Sequence, residues 1–195
     1  MNETTFLEDF FIYTGRFRIF QKQDWIVYSL WIGSMIGLFT LVTGFILYGY
    51  FRGVNFPPYV WNVPIGIFIF VVAIGIDTIG HRTIYKEELA KAESLVHHIT
   101  IFSGVTSVLC LILGYNYPDF FKFPALTLIG MAIFYSGIDE WMHWKRYMTQ
   151  HSDRVEMWSH LFIFVGHIIM SVSWYYWLDQ GYPGVKETLG LWFGG

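Results

Sequence analysis

Five apolar runs divide this chain of 195 residues, at about 25–51, 61–81, 95–115, 124–147 and 156–178. Each is long enough, at about 1.5 Å rise per residue, to cross the roughly 30 Å of a bilayer's hydrocarbon. Water is absent at that depth, so a spanning segment has to satisfy its own backbone polar groups, and a helix does so. The expected fold is therefore all-α and integral to the membrane, with five transmembrane helices. Charged residues make up only 14% of the chain, against roughly 25% in soluble domains. Net charge is −3 and no basic run occurs, which argues for the lipid bilayer and against nucleic acid as a partner. The single cysteine, Cys110, excludes intrachain disulfides, thiolate clusters and CxxC chemistry, and reads as a small buried hydrophobe.

Three parts are expected. Residues 1–24 form an N-terminal segment with Phe6, Phe10, Phe17 and Phe20 at near-helical spacing, read either as an amphipathic helix on the membrane or as a partly ordered tail. Its acidic opening does not resemble a cleavable signal. Residues 25–178 form the five-helix domain and 179–195 a C-terminal tail. Arg16, Arg18 and Lys22, then Arg82, Lys86 and Lys91, then Lys145, Arg146 and Arg154 fall on one side, against Arg52, Lys122 and Lys186 on the other. The positive-inside rule then places the N-terminus in the cytoplasm and the tail outside a cell (inner or plasma) membrane. Prolines 57, 58, 64, 118 and 124 read as punctuation of the loops after spans one and three. Gly33-x3-Gly37 in span one is a close-packing face, either for the chain's own bundle or for a second protomer in a homo-oligomer.

Two stretches carry the same ionisable pattern. Asp77-x3-His81-x3-Tyr85 is followed by Glu93-x3-His97, and Asp139-x3-His143-x3-Tyr147 by Glu156-x3-His160. Residues four apart share a helix face, so each carboxylate projects beside its histidine. The repeat, about 61–115 and 124–178, makes two hairpins of one orientation, and together a four-helix bundle of spans two to five. All four pairs then gather at one depth, where ionisable groups are costly and usually functional. Ordinary polar groups at helix ends are the plain alternative. Four carboxylates balance two divalent metals, with Asp77, His81, Glu93, His97, Asp139, His143, Glu156 and His160 as ligands. Oxygen and nitrogen donors without thiolate point to iron first, with copper, manganese or zinc as alternatives.

Several other residues border this pattern. His167 shares a helix face with Glu156 and His160, and its repeat counterpart is Gly104. It reads as an extra ligand, a proton relay, a group facing substrate, or a core histidine bonded to a carbonyl. Tyr85 and Tyr147 are candidates for hydrogen bonding or redox chemistry at the site, or simple interfacial tyrosines. His98 points about 100° from His97 and reads as a neighbour. Glu140 is expected to face away from Asp139, either as a carboxylate that orients a ligating imidazole or as an interfacial charge.

The ligand set is similar in logic to that of ferritin-like di-iron four-helix bundles, although those use i,i+3 spacing and this chain uses i,i+4. Asp77/His81/His97 and Asp139/His143/His160 also resemble the C subunit of copper membrane monooxygenases of the methane and ammonia type. That subunit carries Asp-x3-His with a further His on the next helix. Here Asp139 stands where the family's second motif has Asn, and Glu93 and Glu156 are additions. The first likeness implies a di-metal oxidoreductase or oxygenase acting on a lipid, quinol or small apolar molecule. The second implies a copper-site subunit of a larger membrane complex. A zinc hydrolase, a haem b electron carrier and a metal transporter are the other classes the residues admit. No reductase or iron–sulfur motif occurs, so an oxidoreductase of this kind draws electrons from its substrate or from a partner.

Overall fold

The computed structural model describes residues 5–84, 91–150 and 153–194, the side chains of 91–93 and 150 excepted. All its regular structure is helical: α1 (Phe6–Gly15), α2 (Lys22–Phe51), α3 (Asn62–Thr83), α4 (Lys91–Leu113), α5 (Pro118–Gln150), α6 (Arg154–Asp179) and α7 (Val185–Phe193), with 3-10 turns at Arg16–Ile19 and Pro58–Trp61. Five helical stretches are long and apolar enough to cross a membrane, namely Lys22–Phe51, Pro58–Thr83, Ser94–Leu113, Pro118–Thr149 and Arg154–Asp179. The expected five spans therefore have their helices. Span four starts earlier than the apolar run suggested. Pro118 opens α5, where its missing N–H costs nothing, and Pro124 lies inside the helix rather than in the loop.

The helices pair in a way the hairpin picture did not anticipate. α3 packs along α6, α4 along α5, and α5 along α6, while α2 leans on α3. No α carbons of α3 and α4 come within 8 Å of each other among the described residues, so spans two and three do not pack as a hairpin. Glycine explains the α3/α6 approach. A Cβ on Gly66 would sit 2.4 Å from the Met170 backbone nitrogen, and one on Gly166 would sit 2.7 Å from that of Phe70. Small residues let apolar helices close to backbone distance, where dispersion and weak polar contacts replace the hydrophobic drive that lipid removes. In contrast, a Cβ on Gly33 or Gly37 would meet nothing within 4 Å, so the own-bundle reading of that face is not realised.

The apolar core lies at the end remote from Asp77 and Asp139. It is built from Ile46, Val60, Val63, Ile67, Trp174 and Leu178, among others, and takes in Cys110. The tail from 179 turns through Gly181, Tyr182 and Gly184, all at positive φ. The Tyr182 hydroxyl donates to the Leu111 carbonyl. α7 then docks on α2, with Thr188 fully buried against Gly49.

The other end is polar and is covered by the N-terminal segment. A capping box starts α1: the Glu8 N–H donates to Thr5 Oγ1 at 3.3 Å and the Thr5 N–H to Glu8 Oε2 at 2.7 Å. The helix packs on α3 and α6. Tyr13 is fully buried with Ile79 and Val155, and its hydroxyl occupies the space a Cβ on Gly80 would need. Arg154 pairs with Asp9, and Arg16 with Asp153 at 3.3 Å, so two ion pairs fasten the segment to the start of α6. Phe10 and Phe20 join the small core while Phe6 and Phe17 stay exposed, so the four phenylalanines do not form one buried stripe. The α2 start is held separately: Arg82 Nε and Nη2 donate to Asp24 Oδ1 at 3.0 and 2.7 Å, and Asp24 is buried.

Candidate metal centre

Helical periodicity brings six of the described residues of these pairs together at the polar end, and the α3/α6 and α4/α5 pairings sort them into two groups. Asp77, His81 and His160 form one, and His97, Asp139 and His143 the other. Each group thus takes an Asp-x3-His pair from one stretch and a third histidine from the other. In the first, His81 Nε2 lies 3.4 Å from Asp77 Oδ2, and His160 Nε2 lies 3.2 Å from Asp77 Oδ1. In the second, His97 Nδ1 lies 3.3 Å from Asp139 Oδ2, and His143 Nε2 lies 3.8 Å from Asp139 Oδ1. His160 Nδ1 also reaches Asp139 Oδ2 at 3.7 Å, which makes this imidazole the link between the groups. Its ring stacks on His143 at 3.4 Å between centroids.

Within each group the donor atoms lie within 4.8 Å of one another. Ligands on one ion at about 2.1 Å stand at most about 4.2 Å apart, so small side-chain rotations suffice to close either group on a cation. The hydrogen bonding supports that reading. Asp77 Oδ1, His160 Nε2 and His97 Nε2 are all buried, yet none meets a partner at hydrogen-bonding angle among the described residues. Buried polar atoms left in this condition demand an explanation, and lone pairs that converge as metal donors supply one.

The remaining candidates separate clearly. Glu156 stands outside both groups: its Oε1 is 3.2 Å from His143 Nδ1 and 3.4 Å from Arg146 Nη1. A carboxylate in that place fixes the ring orientation of a ligating histidine, and Arg146 offsets its charge. The Glu93 side chain and Tyr85 lie outside the described residues. Tyr147 is half-buried and makes an edge contact with Trp144. His98 is exposed and turned back on its own helix, its Nδ1 beside the Ser94 carbonyl. His167 is buried, packs near Phe70 and makes no hydrogen bond among the described residues, so the carbonyl-bonded alternative is not realised.

Glu140 corrects an expectation. It does not face away: it is buried and lines the same cavity as Asp139, with neither oxygen hydrogen-bonded in good geometry among the described residues. Ser136 and Glu140, four apart on one face of α5, both line that cavity. The cavity itself holds about 430 Å³ and runs from the donor groups between α3 and α4, past Ile74 and Gly104, to His167 and Met170. It exists because α3 and α4 stand apart.

No family model, curated protein or solved structure matches this chain, so the two likenesses drawn above rest on the quoted residues alone.

Proposed function

We propose that this protein is a membrane-embedded di-metal oxidoreductase, with an iron pair, that uses O2 to oxidise an apolar substrate drawn from the bilayer. The observation that carries the reading is the pair of donor groups at the head of an apolar cavity, each made of two imidazoles and one carboxylate. Two histidines and one carboxylate with open positions are the ligand set of non-haem Fe(II) oxygenases. Three protein donors leave room at each ion for oxidant or substrate, and an apolar surround excludes bulk water from the reaction. Within this reading Asp77, His81 and His160 hold one ion and His97, Asp139 and His143 the other. Glu156 orients His143. Electrons come from the substrate or from a partner in the membrane, and the N-terminus faces the cytoplasm.

Protein in nanodiscs, loaded anaerobically with Fe(II), tests this. It should bind two iron per chain and take up O2 when a short-chain quinol or a fatty alcohol is added. Asp77→Asn and Asp139→Asn should each abolish the substrate-dependent uptake. Stoichiometric iron with no substrate-dependent uptake would remove the oxidoreductase reading. Stoichiometric copper, together with co-purifying membrane subunits, would instead favour the copper-site subunit.

A further inference from the structure

We infer that the cavity between α3 and α4 is a lateral binding site for an uncharged amphiphile, and that His167 anchors the hydroxyl or carbonyl oxygen of that molecule. The inference deepens the proposed function by naming its substrate class, and it rests on that reading only in taking the bound molecule as substrate.

The entrance follows from the packing. α2 supplies Trp31 and Met35 to one lip and α4 supplies Ile101, Val105 and Leu109 to the other. These three α4 residues recur every four positions, as one face of a helix does, and all three are exposed although they line the cavity. Neither α2 nor α3 approaches α4 among the described residues. The mouth is therefore a slot between apolar helices that opens sideways, in the middle of segments fit to lie in hydrocarbon. A molecule dissolved in the bilayer enters such a slot without passing through water.

Charge decides what enters. Among the described residues no lysine or arginine lines the cavity, and its head carries Asp77, Asp139 and Glu140. A carboxylate or phosphate held at His167, about 10 Å along α6 from the donor groups, would be desolvated with no lysine or arginine among the described lining residues to pair with it, a combination that costs several kcal/mol or more. Free fatty acids and phospholipid headgroups are thereby disfavoured. A neutral molecule carries no such penalty.

His167 then defines the polar part of that molecule. Its side chain is buried beside Phe70, and its Nε2 faces Gly104, 3.8 Å from where a Cβ on that glycine would lie. Glycine keeps the approach to the ring open. An imidazole buried without a hydrogen bond is expensive to the fold unless a ligand completes it. An imidazole both donates and accepts, so a hydroxyl or a carbonyl satisfies it. His167 lies seven residues beyond His160 on α6, about 10 Å along the helix. The oxygen it holds is an anchor, and the rest of the molecule reaches the donor groups.

The test is equilibrium binding of tritiated dodecanol to the full chain in nanodiscs, with dodecanoate and dodecane as competitors and metal content measured on the same samples. Dodecanol should saturate a single site, and dodecanoate should compete at least about tenfold less well. His167→Leu should weaken dodecanol about three- to tenfold, the loss of one neutral hydrogen bond, and leave competition by dodecane unchanged. His167→Gln, which keeps a donor and an acceptor, should restore most of the affinity. Gly104→Leu, which fills the slot, should abolish all binding. Equal affinity for dodecanoate, or unchanged dodecanol binding in His167→Leu, would overturn the inference. Binding as described by protein without metal would remove the di-metal reading alone, whereas full metal content without binding would remove this one alone.

Discussion

His160 presents its two ring nitrogens to two different carboxylates, Nε2 to Asp77 at 3.2 Å and Nδ1 to Asp139 at 3.7 Å. One side chain of the first group therefore also reaches the carboxylate of the second, and it sits on α6, which packs against both α3 and α5. His81 pairs with Asp77 at 3.4 Å, within the first group. It follows that His160→Ala should cost the protein both metals, leaving well under one per chain, while His81→Ala should leave about one. Elemental analysis of the two purified variants distinguishes these outcomes. Equal loss in both would mean that His160 does not link the groups.

Glu156 contacts His143 and Arg146 rather than completing a donor group. Glu156→Gln should then preserve two metals per chain but weaken retention of the second by about 10- to 100-fold, the usual effect of removing a group that orients a ligating histidine. Competition with a graded series of chelators measures this. Loss of a full equivalent of metal at saturating supply would make Glu156 a ligand.

Gly66 and Gly166 allow the α3/α6 crossing, and the atoms a Cβ on either would meet include backbone atoms that cannot rotate away. Gly66→Ala should destabilise the protein by about 1–3 kcal/mol or more, through overpacking. Gly130→Ala, at an exposed position with open space around the new methyl, should instead stabilise by about 0.5–1 kcal/mol through a stiffer helix. Thermal melts of the two variants in one detergent should therefore shift in opposite directions.

Metal retention should depend on pH with a fixed sign. Imidazoles bind metal only when neutral, and four of the six donors are histidines. Protons therefore compete with metal for the ring nitrogens, and apparent affinity should fall as the pH is lowered. Titration with metal at several pH values checks it, and a flat profile would count against imidazole ligation.

Much of this was legible in the chain itself. Five helices follow from the length and apolarity of the runs, since a bilayer leaves few other solutions. The Asp77–His81 and Asp139–His143 neighbours follow from their i,i+4 spacing, because helical geometry is local. What the sequence could not show is how the helices pair. The Gly66/Gly166 crossing that draws α3 to α6 depends on two positions 100 residues apart, and neither stands out among the 19 glycines. From that pairing follow the mixing of the two stretches within each donor group, the gap between α3 and α4, and the turn of Glu140 toward the cavity. Glu156 stands outside both donor groups for a similar reason: Arg146 meets it from the neighbouring helix. The docking of α1 was equally hidden, since it rests on a vacancy at Gly80 that Tyr13 fills.

The most direct test of the central claim is the metal content of the purified protein and of the double variant His81→Ala/His143→Ala, which removes one imidazole from each group. The wild-type chain should hold two iron ions, and the double variant should hold almost none while keeping its helical circular dichroism. Two metals per chain retained in that variant, or none in the wild type after anaerobic loading, would contradict the account.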